Sequence, residues 1–170
     1  AAGIAANSEV FQFRWTEPTR AAAIWEITIA NAGSIAAFAA GLVRFSAFFG
    51  RSWTANGSGG TQAAMTGNRH HGRYGFPLPF DVRTATTAAL GAGTKTLDAN
   101  AFGQAISSVP AVAGAPLLPY GTILFAAQSH VGCEPLVLTR NEGFCIRATV
   151  PITGTWTAGF VVRWSEMETY

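Results

Sequence analysis

The chain has 170 residues, 49% of them hydrophobic and 12% charged, with a formal net charge of +2. That length fits one domain able to bury a sizeable core. A net charge of this size, with no basic run, is too small to argue for a nucleic-acid or membrane-surface role.

The charged share is about half that of an ordinary globular domain, which suits a surface covered by another subunit. Ten of the eleven basic residues are Arg and one is Lys95; Arg accepts interfaces better than Lys because its planar guanidinium is weakly hydrated. A GC-rich genome explains the same Arg and Ala bias. The opening Ala1–Ala6 has no basic region leading an apolar one, so no secretion signal is read. The apolar run at Ile27–Val43 is broken by Thr28, Asn31, Gly33, Ser34 and Gly41, short of a membrane helix. The chain is expected to be soluble. Cys133 and Cys145 read as two buried thiols, with one disulfide as the alternative. His130 lies three residues from Cys133 with no second such pair, so no metal is expected.

In chain order, residues 1–8 form an N-terminal arm. Val10–Trp15 is the first strand, with Phe11, Phe13 and Trp15 inward. Ala23–Ala30 is the second, with Trp25, Ile27 and Ile29 inward. Asn31–Ala40 is ambiguous, since Ser34 is placed to cap a short Ala-rich helix. Gly41–Trp53 returns to strand, with Val43, Phe45, Ala47 and Phe49 on one face. Residues 54–80 read as a long loop. It opens with the glycine-rich TANGSGG, whose Asn56-Gly57-Ser58 sequon is discounted without a secretion signal. It continues through Gly67–Gly75 (GNRHHGRYG), the most polar and basic segment of the chain. There Arg69, His70, His71 and Arg73 are candidate contacts for a phosphate, a nucleic acid or a metal; a solvated or subunit-contacting loop is the favoured account. Trp53, at the edge of the glycine loop, is the one aromatic kept as a contact candidate.

Asp81–Arg83 and Thr94–Leu97 are short strands. Ala99–Cys133 holds no charged residue and is punctuated by Pro110, Pro116 and Pro119. Its 99–121 portion reads as a loop or arm, laid either on a neighbour or over its own sandwich. Thr122–Ala127 and Leu136–Thr139 follow as strands. The chain closes on Glu142–Val150 and Thr155–Met167, read as a strand pair joined through Pro151–Gly154. In the last strand Trp156, Ala158, Phe160, Val162 and Trp164 share one face, the period-two signature of a half-buried strand.

These elements predict an all-β fold: a single two-sheet antiparallel sandwich over residues 1–170, with long irregular loops. No phosphate loop, zinc motif or nucleophile elbow is present. The acids are scattered singly, so no enzyme activity and no cofactor are expected.

Three segments resemble small structural proteins of tailed bacteriophages and prophages: Phe13–Arg20 (FRWTEPTR), the block Gly41–Gly60, and Pro135–Tyr170 with its NEG turn and TGTW motif. Two features stand apart from that pattern: Cys145 at a strand position expected to be β-branched, and the GNRHHGRYG loop. The resemblance implies a jelly-roll-like sandwich assembled as a homotrimer in the virion and made in the host cytoplasm. It implies a head decoration (cement) or other exterior component contacting the major capsid or another virion protein, with no nucleic acid and no membrane. The alternative is a carbohydrate-binding sandwich, on a phage fibre or secreted, using an exposed Trp53.

Overall fold

The computed structural model of the protein describes residues 4–63, 80–127 and 134–168. Within them lie eleven strands and no helix: β1 (Ser8–Trp15), β2 (Arg20–Ala36), β3 (Gly41–Ala55), β4 (Thr61–Gln62), β5 (Phe80–Thr84), β6 (Thr94–Leu97), β7 (Gly103–Val109), β8 (Thr122–Ala126), β9 (Leu136–Leu138), β10 (Glu142–Thr149) and β11 (Thr155–Glu168). The larger sheet runs β4, β5, β1, β10, β3, β6, with β7 also on β3. The smaller runs β11, β2, β8, with β9 also on β2. All the ladders are antiparallel. The chain is therefore the expected two-sheet sandwich. It is jelly-roll-like in sending β1, β2 and β3, and again β9, β10 and β11, to alternate sheets.

The core lies where the apolar stripes meet. Phe13 stacks on Phe144 at 5.3 Å between ring centroids, Phe11 meets Phe160 at 5.3 Å, Trp164 edges onto Phe13 at 5.8 Å, and Phe45 meets Trp156 at 5.7 Å. Aromatic pairs of this kind each add about 0.5–1.5 kcal/mol beyond the area they bury. Trp15 is fully buried and satisfies its indole by donating to the Arg20 carbonyl at 2.7 Å, at the corner where the chain changes sheets.

These contacts correct the reading of the chain's end. β10 and β11 are not a hydrogen-bonded pair: β10 lies between β1 and β3, while β11 pairs with β2 in the other sheet. The connector is an arch that crosses the edge of the sandwich. It is held there by the Ala39 N–H donating to Thr153 Oγ1 and the Ala36 N–H donating to Thr155 Oγ1. Two apolar stripes serve a hairpin or a facing pair equally well, so alternation alone does not choose between them.

Three further expectations change. The stretch around Ser34 is not helical; β2 runs through it to Ala36. Trp25 is not in the core. Along the β2–β11 ladder the register shifts at three places, each time with one extra residue on β2: Ile35, Ala30 and Trp25. A bulge of this kind breaks the alternation, so Ile24 and Ile27 are buried while Trp25 is half-exposed and donates to Ser165 Oγ. Finally, the uncharged 99–121 stretch is not all loop. It supplies β7, then follows the side of β2 away from β11, with hydrogen bonds from Ser34 N to Ala115 O, Leu117 N to Ala32 O and Gly121 N to Ala30 O. Leu117 and Leu118 are buried in the protein's own core. This is the intramolecular of the two accounts given for it.

Candidate functional site

The richest concentration of chemistry among the described residues lies on the outer face of the larger sheet, beneath the loops that follow β3 and β5. Its centre is Glu9. A bulge at Val10 shifts the β1 register between Glu9 and Phe11, which brings Glu9 to the same face as Gln12. The Glu9 carboxylate accepts from Lys95 Nζ at 2.8 Å and Gln12 Nε2 at 2.6 Å, and from Arg147 Nη2 at 3.2 Å. Lys95, the chain's sole lysine, also donates to the Ala92 carbonyl, and its side chain is only 2% exposed. Gln12 holds both covering loops, donating to Gly91 O at 2.8 Å and accepting from Gly57 N at 3.3 Å. A buried charge persists only when it is paired and hydrogen-bonded, and here each is.

Trp53 is part of this cluster, and it is buried rather than exposed. Gly50 and Gly143 are paired across β3 and β10. Without side chains they form a flat floor, since a Cβ on either would come within 3.0 Å of the indole. Lys95 Nζ covers the ring at 4.4 Å, and the Trp53 N–H donates to the Ala55 carbonyl. Arg147 likewise lies over Phe48 at 5.4 Å. Cys145, between Gln12 and Phe48 in the ladder, is an unbonded buried thiol. Burial first, and the Glu9 charge second, push its pKa up to about 12 against the pull of Lys95 and Arg147. A thiol so protonated is a poor nucleophile and a poor metal ligand.

The other candidates from the sequence, Arg69, His70, His71 and Arg73, lie outside the described residues, as does Cys133. Among the described residues no group of three His, Cys, Asp or Glu side chains is placed to hold a metal ion. A cleft lined by Ile4, Val10, Ala85, Trp156, Ala158 and Phe160 holds about 60 Å³, far below the roughly 300 Å³ at which ligand pockets begin. Of the isolated acids, Glu26 pairs with Arg163 at 3.0 Å and Glu166 with Arg20 at 3.8 Å. The cluster is thus built to hold loops on a sheet. Sequence reasoning missed it, although two in-strand glycines beside a tryptophan are a legible sign of close approach.

The chain matches no protein-family model, no curated protein and no solved structure.

Proposed function

We propose that this chain is a non-enzymatic structural subunit of a virus particle, an exterior decoration or cement component of a tailed-phage head. It would act through contacts with its own copies and with the capsid lattice. The observation that carries the reading is the character of the outer surface. Tyr120 is 87% exposed and Ile152 80%, with Leu42, Ile35, Ile106 and Ile123 each more than half exposed. The few charges, meanwhile, are largely occupied with one another. Glu9, Glu26, Asp81, Asp98, Glu142 and Glu166 each sit in an ion pair within the chain. An apolar surface with its charges neutralised suits permanent burial against other subunits. The resemblance of Phe13–Arg20, Gly41–Gly60 and Pro135–Tyr170 to tailed-phage structural proteins supplies the kind of assembly and favours a homotrimer. The carbohydrate-binding alternative loses the aromatic it rested on, because Trp53 is buried.

The test is native mass in dilute solution followed by co-sedimentation with phage heads stripped of decoration. A stable oligomer that saturates the heads is expected. A monomer with no affinity for them overturns the reading.

A further inference from the structure

The cluster around Glu9 contains an arrangement that a structural ion pair does not require. Lys95 Nζ and Gln12 Nε2 donate to the same oxygen of Glu9, Oε2, at 2.8 and 2.6 Å. An amine and a carboxamide are thus held beside each other, joined through one carboxylate oxygen. The carboxamide is fixed at both ends. Its oxygen accepts from the Gly57 N–H at 3.3 Å, and its nitrogen donates a second time, to the Gly91 carbonyl at 2.8 Å. With an N–H at one end and a carbonyl at the other, only one orientation of the amide satisfies both. The three groups are almost dry: Gln12 and the Lys95 side chain are each 2% exposed and Glu9 is 5% exposed. Lysine is seldom so enclosed, and this one is also roofed by the Trp53 ring.

We propose that Lys95 and Gln12 join in an intramolecular isopeptide bond, made by the folded chain itself with Glu9 as the proton carrier. Glu9 Oε2 takes a proton from the Lys95 ammonium, and the freed amine attacks the side-chain carbonyl carbon of Gln12. A C–N bond forms there, and negative charge gathers on the carbonyl oxygen, where the Gly57 N–H already points. In all, two protons pass through Glu9 from the lysine nitrogen to the Gln12 nitrogen. The original C–N bond of the carboxamide then breaks, and that nitrogen departs as ammonium. An ammonium and a carboxamide become a secondary amide and a free ammonium ion. Nothing is oxidised or reduced, and Glu9 ends as the carboxylate it began. Groups held together by the fold react without the entropic cost of meeting. Cys145 neighbours Gln12 in the ladder, but burial keeps its thiol protonated, which leaves Lys95 as the nucleophile. β10 and β3 separate β1 from β6 in the sheet, so the bond straps four strands across their outer face. The ion pairs described above are the state that precedes it. Neither Glu9→Ala nor Lys95→Met can form the bond, so the ion pairs alone set the order of their stabilities. The reaction needs no partner chain, and it stands or falls apart from the virion reading.

The test is the intact mass of the purified wild-type chain under denaturing conditions, followed by a tryptic map. The mass is expected to fall short of the sequence value by one ammonia. The peptides Ala1–Arg14 and Thr84–Arg140 should be recovered as one branched species, uncut after Lys95. A chain of full mass overturns the proposal, as does a deficit of one ammonia without the branched species. Loss of one water with the same two peptides joined also overturns it, because Glu9 would then be the acyl donor. A link to Asn141–Arg147, the peptide that carries Cys145, overturns the choice of nucleophile. Glu9→Gln keeps the shape of the side chain and removes the oxygen that carries the protons. That variant is expected to fold, as read by circular dichroism, and to show the full mass with the two peptides separate. A branched species that persists in it overturns the part given to Glu9.

Discussion

Glu9 illustrates how much one carboxylate organises. It neutralises Lys95 and Arg147 and orients Gln12. Glu9→Ala leaves two cations facing each other in a largely dry site and is expected to cost about 3–5 kcal/mol. Lys95→Met keeps Glu9 bonded to Arg147 and Gln12 and keeps an apolar stem over Trp53, so its cost should be less than about half of that. Urea unfolding of the two variants checks the order; equal losses would mean the site is effectively solvated. Cys145 gives a pH signature. Its folded pKa is raised, to about 12 from a usual 9.0, so the unfolded chain loses this proton first as pH climbs. The stabilisation is fully present below pH 9 and is lost between there and pH 12, at up to about 1.4 kcal/mol per pH unit. Cys145→Ala removes that component, and the difference between the alkaline stability profiles of variant and wild type measures it.

The strands owe their places to positions that lack a side chain as much as to those that have one. Gly143 is the sharpest case: a Cβ there would stand 2.1 Å from the Phe13 carbonyl oxygen and 2.9 Å from the Trp53 ring. The first obstacle is backbone, which cannot swing aside. Gly143→Ala is expected to destabilise by about 3 kcal/mol or more, at or beyond the upper end for overpacking, with a shift in Trp53 fluorescence; a change under about 1 kcal/mol would show that β1 and β10 can part locally. Strand positions were mostly legible, because alternation over five or more residues has few other causes. Thr94–Leu97 was placed to the residue, and β1, β3, β10 and β11 to within about two. What misled was β2. Its bulges at Trp25, Ala30 and Ile35 change the phase of the strand, and nothing local to those residues announces a bulge. The continuation of β2 past Ser34 was hidden for a related reason: Ala, Ser and Gly there carry little strand preference, and the neighbouring chain at Ala115–Leu117 supplies the backbone partners.

For the molecule as a whole, the balance of apolar and charged surface makes a prediction that does not depend on which interface forms. Interactions between exposed charges fade within about 10 Å at 0.1 M salt, whereas apolar burial and strand pairing do not weaken in this way. Self-association should survive about 1 M sodium chloride and tighten in sulfate, as read by light scattering. Dissociation on adding salt would mean that charge pairs hold the assembly.

The order of its residues by itself determined that this chain is all-β, where most of its strands lie and which side chains of β1, β3, β10 and β11 face inward. Those properties depend on neighbours two positions apart, so they are written locally. Tertiary structure alone decided which strands pair, that β10 and β11 lie in opposite sheets, that Trp53 is sealed under Lys95 rather than offered to a ligand, and that Glu9, Lys95 and Arg147 meet. These join residues as far apart in the chain as Arg20 and Glu168, 148 positions. Hydrogen-bonded ladders and ion pairs of that kind form between whichever segments the closed sandwich brings together, and no periodicity along the chain records the choice.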